Sequence, residues 1–245
     1  MTDTHRRDRL KRAAAQRAVE FVESGMVLGL GTGSTAACVA EALARRVAQG
    51  LAVVAIPSSE HTAEMARELR IPLTNLGEHR RIDLAIDGAD EVERGTLNLI
   101  KGHGGALLRE KIVAAASDRF IVVVDDEKLV NRLGERFPIP VEIVQFGWQA
   151  TAAALEKLGT RPELRQIEGR TFVTDGGNFI LDCPFGSIAE PRQLEQAINM
   201  TVGVVENGLF LGRSAAVVVA SAEGVEIMTP EVMTPHGVKP GGKPV

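Results

Sequence analysis

Three short stretches hold most of the residues whose types and spacing could do chemistry. The first, Gly29-Leu30-Gly31-Thr32-Gly33-Ser34-Thr35, lies between an apolar run and a helical pattern. Read from Gly31 through Ala36 it fits G-x-G-x-x-A, the opening of a dinucleotide site. Such a site needs an acid about 20 residues further on, at the end of the second strand, to hold the ribose hydroxyls. Here that strand ends Ile56-Pro57-Ser58-Ser59, and no carboxylate stands before Glu60. The stretch reads better as a small-anion site, in which N–H groups at a helix start and the hydroxyls of Thr32, Ser34 and Thr35 suit a phosphate. The plain alternative is a tight strand-to-helix turn with a capping hydroxyl.

The second stretch, Asp83 to Glu91, runs an apolar strand into Asp87-Gly88-Ala89-Asp90-Glu91. Carboxylates at the end of a buried strand are costly to desolvate unless paired or used. They could ligate magnesium, cap a helix or bind the hydroxyls of a polyol. The third stretch is Lys101-Gly102-His103-Gly104-Gly105-Ala106-Leu107-Leu108-Arg109-Glu110-Lys111, a glycine-rich loop that opens a helix. With only seven lysines against 21 arginines in the chain, Lys101 is an uncommon choice at such a loop. A carboxylate in a first helical turn is often simple pairing with the helix dipole, so Glu110 alone is ambiguous between that and a proton acceptor.

These stretches need a scaffold. Apolar runs at 26–30, 51–56, 71–76, 82–86 and 120–124 alternate with helical patterns at 10–22, 36–47, 60–70 and 105–116. Gly25 is placed to end the first helix, and Ser58-Ser59 to cap the third. Strands apolar throughout and separated by helices predict a doubly wound, mostly parallel α/β sheet of Rossmann-like type, with ligands beyond the strands' carboxyl ends. After Leu133 the rhythm changes to a strand at 141–144, a helix at 149–158, a hairpin across 170–181 turning at Asp175-Gly176-Gly177-Asn178, a helix at 191–200 and a strand at 202–205. The reading is a catalytic domain from 1–135 plus 208–226, including a returning strand at 215–220. A smaller α+β domain from 136–207 is inserted, and a flexible tail follows from 227–245.

Composition narrows the classes. The 245 residues are 44% hydrophobic and 24% charged, an ordinary globular balance. A net charge of -4 argues against nucleic acid as a partner, and the cluster Arg6, Arg7, Arg9, Lys11, Arg12 reads as a solvated helix face. Cys38 and Cys183 are far apart with no ligand-like neighbours, which predicts reduced thiols and no zinc site. A first dozen residues rich in charge, with no apolar stretch after them, predict no signal peptide, no membrane span and a cytoplasmic protein.

The combination is more specific than its parts. GTGST, DGADE, KGHGGALLREK and then Val124-Asp125-Asp126-Glu127-Lys128-Leu129-Val130 occur in that order, and the chain from Lys11 to about Glu226 resembles ribose-5-phosphate isomerase of the A type. RTFVTDGGNFILDC and TVGVVENGLF are similar to that family too. The resemblance implies interconversion of ribose 5-phosphate and ribulose 5-phosphate, without metal or other cofactor, by a homodimer or homotetramer. It implies that Thr32, Gly33, Ser34 and Thr35 line the phosphate end of the substrate site. Asp87, Gly88, Ala89, Asp90, Lys101, Gly102, His103 and Gly104 would surround the sugar, and Lys128 would also bind substrate. Glu110 matches the family's proton acceptor, whereas the surroundings of Lys11 are too loose a motif to carry a role over.

The chemistry fits independently of the family. Moving a proton between C1 and C2 needs one base and donors for the enediolate oxygens. Glu110 would be the base, raised toward neutrality by desolvation. Lys101 and loop N–H groups would stabilise the oxyanion, and Asp87 and Asp90 would hold hydroxyls, one of them assisting ring opening. His103 interrupts the glycines, so its φ is either ordinary or tolerated for the sake of its side chain. Rival readings are a sugar-phosphate sensor, which should carry a helix-turn-helix; an acyl-CoA transferase or sugar-phosphate deaminase; and a nicotinamide-dependent reductase, weakened by the missing acid.

Overall fold

The computed structural model describes residues 3–230. A six-stranded sheet forms its centre, in spatial order Gly224–Met228, Ala216–Ser221, Ser117–Asp125, Ile82–Asp87, Val27–Leu30 and Val54–Pro57. All neighbours pair in parallel except the edge strand Gly224–Met228, which runs back antiparallel to Ala216–Ser221. Helices α1 (Asp3–Val19), α2 (Ser34–Ala48) and α3 (Glu60–Glu68) contribute to the core on one face of this sheet. Helix α4 (Leu107–Ala115) covers part of the other, together with a small sheet of Leu209–Phe210, Leu99–Ile100, Glu91–Glu93 and Leu129–Val130. The doubly wound α/β expectation holds. It does so because strands such as Phe120 to Val124 are buried residue after residue, and each buried Val, Leu or Ile contributes about 1.5–3 kcal/mol.

Val27–Leu30 has the second strand on one side and the third on the other, so the order of strand addition reverses about it. Leu30 lies opposite Ile86, which sets Gly31 beside Asp87. The first and second chemical stretches therefore meet at the topological switch point, where open α/β sheets bind ligands.

Residues 139–207 build a second unit. Its antiparallel sheet, Val204–Asn207, Ile139–Ile143, Phe179–Cys183 and Glu163–Leu164, carries helices α5 (Trp148–Glu156) and α6 (Pro191–Asn199) over a core that also takes in Ile100, Val130, Leu133, Leu209 and Leu211. Several expectations need correction. The first helix ends at Val19, six residues before Gly25, and the chain tightens there into i→i−3 bonds from Glu20, Phe21 and Val22. The strand expected at 71–76 is a single bridge between Ala55 and Leu73, because Pro72 cannot donate to a ladder. The hairpin turns at Glu168-Gly169, both with positive φ, and pairs Arg170–Thr171 with Gln166–Ile167. The Asp175-Gly176-Gly177-Asn178 stretch still turns the chain, but its flanks pair with different partners. Ile227 and Met228, assigned to the tail, are strand residues opposite Val218 and Val217, and the rest of that tail from 231 lies outside the described residues.

Candidate active site

The first chemical stretch folds tightly because Asp87 fills the space beside it. A Cβ on Gly31 would stand 1.9 Å from Asp87 Oδ1, so only glycine lets the carboxylate in. Asp87 Oδ1 accepts from the N–H of Gly88 at 2.7 Å and of Thr32 at 3.2 Å. Thr32 Oγ1 does not stand free for an anion. It lies within 2.8–3.2 Å of the hydroxyls of Ser58, Ser59 and Thr62, a polar knot that ties the loop to the start of α3. Ser59 caps α3, accepting from Thr62 N–H. Helix α2 then begins after Gly33, whose φ of 97° turns the chain, and no side chain caps its first turn. Those N–H groups remain available to a ligand.

A cleft of about 270 Å³ opens here, lined by Thr32, Gly33, Ser34, Thr35, Gly88, Ala89, Asp90, Lys101, Gly102, His103, Gly104, Glu110, Lys128 and Lys11. The structure thus gathers all but one of the residues expected at the site. The exception is Asp87, which is 4% exposed and stands behind the wall. Its second oxygen takes Lys101 Nζ at 2.9 Å, so both oxygens are engaged within the protein. Asp90 is the carboxylate that reaches the cleft, where its Oδ2 accepts from His103 N–H at 2.9 Å.

Lys101 is buried, and its ammonium also donates to Gly88 O at 2.7 Å and meets Glu110 Oε1 at 3.2 Å. Burial works against its charge, but the carboxylates of Asp87 and Glu110 outweigh this and hold it above the usual lysine range. Glu110 sits in the first turn of α4, 6% exposed. Burial pushes it up to about 8, against the pull of Lys101, with Asp87 and Asp90 adding to the rise. Its Oε2 has no hydrogen-bond partner within the protein. One wall of the cleft therefore presents a buried carboxylate with one oxygen fixed and the other unengaged.

The lining is also cationic and hydroxylated. Lys11, left without a role by the sequence, reaches Ser34 Oγ at 3.0 Å from α1. Lys128 lies 4.6 Å above the Phe137 ring, on a 3-10 turn (Asp126–Lys128) that Arg6 and Arg7 hold through ion pairs to Asp126 and Glu127. Two members of the basic cluster are thus tied to that turn rather than simply solvated. Phe137 also meets the edge of the exposed His103 ring at 5.5 Å. His103 itself adopts no positive φ; Gly102 takes it, at 107°.

Glu91 was grouped with the chemical acids, yet it is fully buried away from the cleft. It accepts from the N–H groups of Gly134, Arg136 and Phe137 at 2.6–2.8 Å, and so fixes the segment that carries Phe137. Among the described residues no group of three His, Cys, Asp or Glu side chains is arranged to hold a metal ion, and no helix is long and apolar enough to cross a membrane.

Comparison with known proteins agrees with this geometry. Residues 54–224 match the family model described as ribose 5-phosphate isomerase A (phosphoriboisomerase A). The chain is 60% identical over 223 residues to ribose-5-phosphate isomerase A of Gloeobacter violaceus, covering 91% of this chain and 97% of the relative. A solved ribose 5-phosphate isomerase A from Methanocaldococcus jannaschii superposes with a TM-score of 0.87 at 42% identity, over 91% of this chain and 99% of that one. A second solved isomerase, in complex with phospho-erythronic acid, gives a TM-score of 0.88 at 39% identity, over the same 91% of this chain and 99% of its own.

Proposed function

The chain belongs to the ribose 5-phosphate isomerase A family, an aldose–ketose isomerase acting on ribose 5-phosphate and ribulose 5-phosphate, and from that premise we propose how its cleft divides the work. The observation that carries the proposal is the unengaged Oε2 of a buried Glu110 in a cleft whose lining also includes Lys11 and Lys128. Glu110 takes the proton from C2 of the open-chain aldose. The C2–H electron pair forms the C1=C2 bond, and the carbonyl pair moves onto O1. The same carboxyl returns the proton to C1, O2 becomes the carbonyl and its proton passes to O1. Lys101, held charged between Asp87 and Glu110, and the amide of Gly104 meet the charge that develops on the oxygens. Asp90 binds a hydroxyl and assists ring opening, while Asp87 positions Lys101 and the anion loop.

The phosphate binds at the start of α2, where free N–H groups, Ser34, Thr35, Lys11 and Lys128 converge, with Thr32 holding the loop rather than the anion. Phospho-erythronic acid, bound by one relative, has an acid group and a phosphate, the same pairing of ends. The 136–207 segment acts as an inserted α+β domain, a reading supported by its separate four-stranded sheet. Its exposed Phe146, Met200 and Val202, at 95%, 78% and 91%, support assembly as a homodimer or homotetramer. Two unpaired cysteines fit a cytoplasmic setting. The reaction is proposed to need no metal or other cofactor.

Turnover of ribose 5-phosphate by purified protein, with and without EDTA, tests this reading. Full activity in chelator is expected, with ribose a far poorer substrate because its phosphate anchor is missing. Activity lost in EDTA and restored by a divalent ion, or equal kcat/KM for ribose, overturns it.

A further inference from the structure

The inserted unit sends one buried cation into the main domain. Arg165 is 9% exposed, and its backbone is locked by bonds from its N–H to Ile180 O and from Phe172 N–H to its own carbonyl. Its guanidinium grips both oxygens of Asp182 through Nε and Nη2. The remaining nitrogen, Nη1, donates to the carbonyls of Gly102 at 2.8 Å and His103 at 3.0 Å. Those carbonyls belong to the loop between Lys101 and the catalytic helix, and neither Arg165 nor Asp182 lines the cleft.

In a trans peptide the C=O and N–H point opposite ways. The Gly102–His103 peptide displays this directly. Its carbonyl goes to Arg165 and its N–H goes to Asp90, a cleft residue. The same rule applied to the next peptide turns Gly104 N–H to the cleft side, because His103 O is also held by Arg165. We propose that Arg165, oriented by Asp182, is a positioning residue that aims the Gly104 amide and, through His103 N–H, the Asp90 carboxylate at the sugar. The proposal rests on the reading of this loop as the oxygen-binding wall. Lys101 N–H to Gly208 O and Gly208 N–H to Pro140 O continue the same attachment, so the inserted sheet acts as the template for the loop.

Breaking a buried ion pair on one side leaves an unpaired charge, so a single truncation confounds folding with function. The test therefore combines Arg165→Met with Asp182→Leu, which removes both charges. Arg165→Lys serves as a second, milder variant that keeps a charge beside Asp182 but cannot hold two carboxylate oxygens and two carbonyls at once. In the folded double variant kcat should fall about 10–100-fold, as expected when donors lose their aim, while KM changes less than about threefold. Arg165→Lys should lose kcat in the same sense while remaining folded at the assay temperature. The midpoint of the pH–rate profile should stay put in both. A kcat within twofold of the parent in either folded variant, or a loss expressed in KM instead, overturns the proposal. Glu110→Gln runs alongside: if it too keeps its rate, the reading of the whole site fails, whereas its inactivity beside active Arg165 variants rejects the clamp alone.

Discussion

With Glu110 as the proposed base, the reaction has a pH dependence whose sign and size follow from where the residue sits. Desolvation favours its neutral form and raises it to about 8, so the carboxylate needed as base is gained as pH rises. At pH 7 roughly one molecule in ten then carries an ionised Glu110. Because kcat/KM reports the free enzyme, it should climb about tenfold per pH unit below that point and level off above it. The substrate phosphate titrates near pH ~6, so the two limbs are separable. Replacing Glu110 by Gln keeps the shape and removes the base. kcat should drop about 10²–10⁴-fold, or ~2.7–5.5 kcal/mol of barrier, with the limb abolished and sugar-phosphate affinity little changed. The same shift acts on stability with the opposite sense. Between the ordinary glutamate value and about 8 the unfolded chain releases a proton that the folded one keeps, so this group makes folding less favourable as pH rises. The Gln variant should therefore gain in Tm relative to the parent between pH 5 and 9. Solvent-deuterium exchange at C2, followed from pH 6 to 9.5, is the direct assay. A flat profile across that range, or exchange retained in Glu110→Gln, refutes the reasoning.

Two further substitutions separate the parts of the site. Gly31→Ala would place a Cβ 1.9 Å from Asp87 Oδ1, so Asp87 must leave Thr32, Gly88 and Lys101; a loss of ~1–3 kcal/mol in urea unfolding together with most of the activity is expected, and an unchanged midpoint would contradict the packing. Lys128→Ala removes a cation from the phosphate end and should raise KM with kcat nearly constant; a fall in kcat at constant KM would move Lys128 to the reacting end.

The parallel sheet was legible because each strand is buried on both faces, and a run such as Phe120 to Val124 has no solvent side to disguise it. The small sheet of Glu91–Glu93, Leu99–Ile100, Leu129–Val130 and Leu209–Phe210 was not, since two or three residues are too few to show any period. The hairpin was assigned to Asp175-Gly176-Gly177-Asn178 on composition. Long-range contacts recruit that turn instead, as Asp175 accepts from Glu60 N–H and pairs with Arg109, and Asn178 serves buried Glu142. Glu168-Gly169, with a plain glutamate forced to positive φ, gave no comparable signal.

The residues at the site divide along a similar physical line. Glycines, acids and lysines that act where they stand in the chain could be found by spacing, and the cleft collects them. Side chains that act by holding someone else's backbone could not. Glu91 reaches 43–46 residues to three amides, and Arg165 reaches 62–63 residues to two carbonyls, with no pattern around either. Asp87 and Asp90 mark the boundary between the two kinds. Both belong to DGADE, and spacing alone does not say which faces the substrate. The distinction was nevertheless written 56 residues earlier, in Gly31. At a register position beside Asp87, a residue without a Cβ leaves room for a carboxylate to turn inward. Once it turns inward its oxygens are consumed by Lys101 and the loop amides, and Asp90, three residues on and past the end of the strand, is the acid of the pair left to line the cleft.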